Sequence, residues 1–268
     1  WLWDLASRRA RCHFGHPSIV TAIAFSPDST LAVSASTAGD LVVWRTTDAS
    51  LVHSFPALGG VVTDLAWSPD GRHLAVGLGL GQATINGNHE LVSVGDGRAK
   101  LLILDLIRCT VLHASNELPA PISALSFAPS STRVAVGLWC GPTEKPGAAR
   151  VYGLNPFKEL LQLDVYGQNL KQILFSTNGR SIVTNSERGD YFQSEHLEIR
   201  DMRTKRPPKW MEASEDARNR YAERSWVQGW DTESGKKRVE YIGHTDVVHH
   251  VSFSAALFRF NVAVPAAP

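Results

Sequence analysis

Cys12-His13 followed by His16 brings a thiol and two imidazoles close together, and these are ligand types that hold zinc. A tetrahedral site needs another ligand pair, and none occurs nearby in sequence. His244, His249 and His250 pose the same question near the other end. One comes after a glycine and two flank an apolar alternation that reads as a strand, so structural roles are expected for all three. Gly77-Leu78-Gly79-Leu80-Gly81 has the composition of a phosphate-cradling loop. Such loops work because they lead into a helix N-terminus that aims its N–H groups at the anion. The next residues here are Gln82-Ala83-Thr84-Ile85-Asn86-Gly87, with no helical periodicity and no lysine, so a hairpin extension is expected. No Gly-x-Ser-x-Gly elbow and no His-Glu-x-x-His run occurs. Serines, aspartates and histidines fall at turn and strand positions. No catalytic, metal-ligating or cofactor-binding residue is expected.

Those turns and strands repeat. Ala22-Ile23-Ala24-Phe25-Ser26-Pro27-Asp28-Ser29 returns as Asp64-Leu65-Ala66-Trp67-Ser68-Pro69-Asp70-Gly71. It fades through Ser123–Ser130, Gln172–Gly179 and His250–Ser254, with aromatic anchors 42, 60, 48 and 78 positions apart. A period near 40–45 residues with later insertions is the mark of four-stranded units stacked around an axis. In the first unit Val20–Ser26 alternates as a strand, and Ser26-Pro27-Asp28-Ser29 supplies turn chemistry. Leu31–Ser36 is nearly all apolar, as a strand covered on both faces would be. Leu41–Trp44 and Leu51–Phe55 complete the unit, rich in β-branched and aromatic residues.

Composition agrees with a packed all-β chain. The 268 residues are 43% hydrophobic and carry a net charge of +1, which is no electrostatic footprint for nucleic acid. Three scattered cysteines (Cys12, Cys109, Cys140) make no disulfide framework, and no apolar run reaches the roughly 18 residues of a membrane helix. A cytoplasmic protein is expected. The chain begins at Trp1 inside an apparent strand, Trp1-Leu2-Trp3-Asp4, which resembles the third strand of a preceding or final unit. It ends in Ala-, Val- and Pro-rich residues 255–268, an atypical tail. A fragment of a larger chain or complex is the expectation.

The unit resembles the WD40 repeat. Gly15-His16, Ser34-Ala35-Ser36, Trp44 and the run Gly243-His244 to Ser254 carry the likeness. The resemblance implies a β-propeller of four-stranded antiparallel blades. It also implies a buried tetrad of histidine, second-strand hydroxyl, turn aspartate and tryptophan. His16, Ser36 (or Ser34) and Trp44 fill three places, and His244 opens another such set. The aspartate place, six before Trp44, holds Ala38, so this tetrad is expected to be incomplete. Closing signatures are worn at Leu104-Asp105, Val151-Tyr152 and Ile199-Arg200-Asp201. About six units are expected within residues 1–254: 15–56, 57–117, 118–163, 164–204, an irregular 205–238, and 239 onward.

Insertions fall between second and third strands, at Leu78–Ala99, Leu138–Ala149 and Glu187–His196. Additions grouped on one face of a repeat array mark a binding face. Asn86, Asn88, His89, Trp139, Tyr191 and Phe192 are therefore the candidate partner-binding residues, with the aromatics as anchors. A narrower resemblance, to the echinoderm microtubule-associated-protein-like proteins, rests on Leu74–Gly79 with Leu101–Asp105, on Ser181–Ser186 with Asp190-Tyr191 and Leu197–Asp201, and on Arg218–Ala222 with Val227–Trp230. It implies association with tubulin or microtubules and a cytoskeletal location. The basic stretch Arg203–Lys209 with Lys236–Arg238 is expected to be a solvated linker, the alternatives being a nuclear-import tag or a patch for acidic tubulin tails or nucleic acid. Met211–Arg224 is a candidate short helix. The expected function is a non-catalytic scaffold for protein partners. The alternative is an enzyme or ligand-binding propeller that uses its central channel.

Overall fold

The computed structural model describes residues 2–4, 6–12, 15–81, 83–85, 91–94, 97–139, 147–165, 169–187, 225–241, 250–253 and 260–263. Among these residues every regular element is a β-strand. β1 (Leu2–Asp4) and β2 (Arg9–Cys12) form a two-stranded antiparallel sheet. Blade 1 comes next as β3 (Val20–Phe25), β4 (Leu31–Ser36), β5 (Leu41–Arg45) and β6 (Leu51–Phe55). Blade 2 is β7 (Gly60–Trp67), β8 (His73–Leu80), β11 (Ala99–Asp105) and β12 (Thr110–Ala114). Its insertion folds as a separate hairpin, β9 (Ala83–Ile85) with β10 (Leu91–Val94). Blade 3 is β13 (Ile122–Phe127), β14 (Arg133–Leu138), β15 (Gly147–Leu154) and β16 (Phe157–Val165). Blade 4 is β17 (Asn169–Phe175), β18 (Ser181–Glu187), β19 (Ser225–Asp231) and β20 (Lys237–Tyr241). Finally β21 (His250–Phe253) pairs with β22 (Phe260–Ala263).

Two expectations change. The fourth blade does not close at residue 204. Its third strand lies in the stretch read as irregular, since Trp230 lies opposite Ile182 as Trp44 lies opposite Ala32 in blade 1, and its fourth runs past residue 238 into the unit expected from 239 onward. Nor is all of 255–268 outside the repeat, since residues 260–263 pair along β21. Residues 197–201, the basic stretch 203–209 and the candidate helix 211–224 lie outside the described residues.

The turn between first and second strands is built alike in three blades. Ser26 Oγ donates to Asp28 Oδ1 at 2.5 Å and accepts from Leu31 N at 2.9 Å. Ser68 does the same with Asp70 (2.5 Å) and His73 N (2.8 Å), and Ser176 with Asn178 (2.7 Å) and Ser181 N (2.9 Å). The chain turns through positive φ at Gly71 (75°) and Gly179 (68°), where glycine carries no Cβ penalty. Every third strand also shares a mark. The pairing register slips just before Trp44, Leu104, Tyr152 and Trp230, and it slips just before Trp3 in β1. β1 and β2 are thus the third and fourth strands of a blade.

Blades stack by setting an aliphatic side chain of each first strand against a small residue on the preceding second strand. A Cβ on Gly77 would stand 2.9 Å from Ile122 Cγ2, and one on Gly137 would collide with Leu170. Ala35 and Val62 repeat the pairing within one buried cluster. Side chains also cross the joints. Asp64 Oδ2 accepts from Leu125 N at 2.7 Å, and Gln172 Oε1 accepts from Val251 N at 2.7 Å. Arg133 donates to the carbonyls of Gly179 and Thr232, both at 3.3 Å, with its guanidinium over the Phe175 ring. Such interdigitation hides the facing sides of adjacent blades, which no blade achieves alone.

Candidate functional site

The residues with the strongest chemical appearance sit in blade 1. The linker entering β3 carries His16, β4 carries Ser34 and Ser36, the tight turn after β4 carries Asp40, and β5 carries Trp44. His16 Nδ1 lies 2.6 Å from Asp40 Oδ2, and His16 Nε2 lies 2.6 Å from Ser34 Oγ. Trp44 Nε1 donates to the same Ser34 Oγ at 3.2 Å, and Ser36 Oγ donates to Asp40 Oδ1. The tetrad is therefore complete, which corrects the expectation from Ala38. The aspartate is Asp40, four positions before Trp44, because the turn needs only Thr37–Gly39 before it. Ala38 instead gives its N–H to Ser36 Oγ at 3.1 Å. Ser34, the alternative to Ser36, is the shared hydroxyl.

Serine, histidine and aspartate in this order have the geometry of a nucleophilic triad. The chemistry differs. Ser34 is buried, and its oxygen already takes the indole N–H of Trp44 while its proton points to His16 Nε2. At 4% exposure that oxygen is closed off from a substrate arriving from solution. Burial pushes the Asp40 carboxyl up, but the hydrogen bonds from Ser36 and His16 outweigh it and hold the group below its ordinary range. The set is a cross-brace between linker, second strand and third strand.

Blade 4 holds a reduced version that sequence reasoning missed: Trp230 Nε1 donates to Thr184 Oγ1 at 3.0 Å, with both residues buried. Thr184 occupies the place of Ser34, since each lies opposite the first-strand residue two before the aromatic anchor. Blades 2 and 3 fill the two places with Val76–Leu104 and Val136–Tyr152. Hydroxyl goes with tryptophan, and valine goes with its absence. The adjacent Trp230-Asp231 pair was the available signal.

Of the rim candidates, Trp139 is described. It comes directly after β14 at the start of the connection to the third strand, partly buried, with its N–H donating to Pro121 O at 2.9 Å. Asn86, Asn88, His89, Tyr191, Phe192 and the tetrad candidate His244 lie outside the described residues. Among the described residues no cluster of three histidine, cysteine or acidic side chains is arranged to hold a metal ion. The second basic group lies at blade 4, where Lys237 Nζ pairs with Glu240 at 2.7 Å and Arg238 with Asp231. Asp231 is drawn down to about 2 by the Ser234 backbone N–H and hydroxyl and by Arg238.

Residues 23–129 match the family model of the Anaphase-promoting complex subunit 4 WD40 domain. Two solved structures, "Structure of U3-55K" and "Crystal Structure of Mitotic Checkpoint Complex", each match over 90% of this chain at 15% identity and a TM-score of 0.57. The matches cover 57% and 54% of those chains, so this chain spans a little over half their length. The fold is the WD40-type β-propeller, built of four-stranded antiparallel blades. The partial family match and the shared fold support the broader WD40 resemblance. They lend nothing to the narrower microtubule-associated one.

Proposed function

We propose that this chain is a non-catalytic scaffold that binds other proteins through the rim bearing the connections between second and third strands. WD40 propellers generally mediate contacts between proteins, but a fold alone does not assign a function. The carrying observation is where chain length has been added. Blade 1 joins its second and third strands through residues 37–40, whereas the same connection spans 81–98 in blade 2, 139–146 in blade 3 and 188–224 in blade 4. Strands alternate in direction and every blade repeats one order, so these three segments leave on the same rim. Loops held by a rigid scaffold are where recognition concentrates.

Cross-linking mass spectrometry on the full chain in cells tests this reading. Partner cross-links are expected on 81–98, 139–146 and 188–224, and to disappear when 81–98 is replaced by the short turn of blade 1. Cross-links confined to the opposite rim would remove the proposal. The finer reading, a tubulin or microtubule partner with a cytoskeletal location, is supported by the sequence resemblance of 74–105 and 181–230. Co-pelleting with polymerised tubulin decides it. Enrichment lost on Trp139→Ala supports it, and an empty pellet leaves the scaffold without that partner.

A further inference from the structure

Three blades build the turn between first and second strands from a serine and an acceptor two residues on. In blades 1 and 2 the acceptor is a carboxylate, Asp28 or Asp70, and in blade 4 it is the amide of Asn178. A carboxylate suits this turn. The Ser26 hydroxyl and the Thr30 N–H draw Asp28 below its ordinary value. Burial raises Asp70, but the Ser68 hydroxyl and the Arg72 N–H outweigh it. Asn178 accepts the same bonds as a neutral group, with Ser176 Oγ at 2.7 Å and Arg180 N at 3.0 Å from its Oδ1. The next residue is Gly179. An asparagine before glycine is the pair whose side-chain amide is most open to attack by the following backbone nitrogen, since no Cβ stands in the way. Asn-Gly occurs at one other place, Asn86-Gly87, outside the described residues.

In the closed turn both reactants are occupied. Gly179 N donates to Ser176 O at 2.8 Å, and the amide oxygen of Asn178 is pinned by its two donors. The peptide group beyond is clamped as well. Gly179 O accepts from Thr232 Oγ1 at 2.9 Å and from Arg133 of blade 3 at 3.3 Å. Bringing Gly179 N onto Asn178 Cγ rotates the peptide between them, which breaks the bond to Ser176 O and pulls on that clamp. We propose that Asn178 is a deamidation site gated by the joint between blades 3 and 4. Opening of the turn lets Gly179 N attack the side-chain amide, and the fold then accepts the aspartyl product and rejects the isoaspartyl one.

Gly179 N gives up its proton and bonds to Asn178 Cγ, the Cγ–Nδ2 bond breaks, and ammonia leaves with the proton. Solvent water then opens the cyclic imide. Addition at Cγ breaks its bond to Gly179 N and leaves aspartate on an unaltered backbone. Addition at the backbone carbonyl leaves the chain running through Cγ, one methylene longer, with the main-chain carboxylate free. The first product closes the turn with the bonds of blades 1 and 2. The second cannot, because the longer link moves Gly179 N away from Ser176 O and Gly179 O off its clamp. Either product lowers the formal net charge from +1 to 0. Each opening that reacts therefore leaves a permanent mark at this joint.

The test ages the full chain at neutral pH beside a synthetic peptide of residues 170–182, with the tryptic fragment Gln172–Arg180 read by mass spectrometry. The chain is expected to convert roughly tenfold or more slowly than the peptide, because only the open fraction reacts. Thr232→Val removes one clamp and keeps the shape of the side chain. It is expected to speed conversion severalfold, in step with hydrogen exchange of Gly179 N–H and with little change in melting temperature. Arg133→Ala is expected to act in the same direction, and Thr232→Val carries the comparison should Arg133→Ala fail to fold. Asn178→Asp is expected to melt no lower than the parent chain. The isoaspartyl fraction of the aged chain, separated by ion exchange, is expected to melt below both. Conversion of the folded chain at the peptide's rate overturns the proposal, as does an Asn178→Asp chain that melts lower. So does an Asn178 that stays intact in Thr232→Val while Gly179 N–H exchanges freely.

Discussion

Replacing Asp64 with asparagine is expected to stabilise the protein at neutral pH and to do almost nothing in acid. Asp64 lies on β7 and accepts from Leu125 N across the joint between blades 2 and 3. Burial raises its carboxyl from 3.8 to about 6, with backbone hydrogen bonds from Leu65 and Leu125 opposing the rise. The strands packed around it, β3, β8 and β13, bring one titratable side chain, His73 at the start of β8. Between pH 4 and 6 the folded carboxyl takes up a proton that the unfolded one releases. Stability from this group is therefore full below about 4 and is lost as pH rises through 6. A shift of this size corresponds to about 3 kcal/mol, and to less where water still reaches the partly buried group. Asparagine keeps an acceptor for Leu125 N and cannot ionise. Gln172 performs the same task with a neutral amide in blade 4. Urea unfolding of both proteins from pH 4 to 8 should give a difference that starts near zero and grows through pH 6. It should level off at about 2–3 kcal/mol in favour of Asp64→Asn. The aspartates whose carboxyls are held low, Asp40 and Asp231 among them, titrate equally in both proteins and cancel. A difference that does not vary with pH, or an Asp64→Asn protein less stable throughout, would refute the reasoning.

The brace in blade 1 should show coupling. Ser34→Val strips the partner from both Trp44 Nε1 and His16 Nε2 and should cost about 2–4 kcal/mol, whereas Ser34→Val with Trp44→Leu should cost clearly less than the two single changes added, since Val76–Leu104 fills these places in blade 2. Additive losses in denaturant unfolding would show that the hydroxyl and the indole act separately. Gly137→Ala drives a methyl into Leu170 and should lower stability by about 1–3 kcal/mol, recovered in part by Leu170→Val. A melting temperature unmoved by Gly137→Ala would contradict the close fit at that joint.

The repeated phrase around Phe25, Trp67, Phe127 and Phe175 made the blades legible, because a first strand that must pack against its neighbour keeps its apolar alternation and its turn. The third strands were harder to place. In blade 4 the run Leu197–Asp201 satisfied the same apolar pattern as Val227–Asp231, and pattern alone has no memory of which segment returns to pair with β18. The pairing of hydroxyl with tryptophan decides it, since Thr184 needs an indole donor and residues 197–201 hold none. Asp40 was missed for a different reason. A fixed count back from Trp44 lands on Ala38, but what the brace requires is an oxygen within reach of His16 Nδ1, and a shorter turn meets that from another position. The rim residues carry no periodic constraint, so nothing in their spacing fixes where they sit.

The side chains that cross the joints alternate along the chain. Asp64 and Gln172 reach from blades 2 and 4 to their successors, while the matching places in blades 1 and 3 are Ala22 and Ala124, which have nothing to offer a neighbouring amide. Blade 3 compensates with Ser126, whose oxygen accepts from Phe175 N, and with Arg133. Under tension applied through the two termini, the arc would part first between blades 1 and 2. Blades 2 to 4 would then remain together as one mechanical block that yields at higher force.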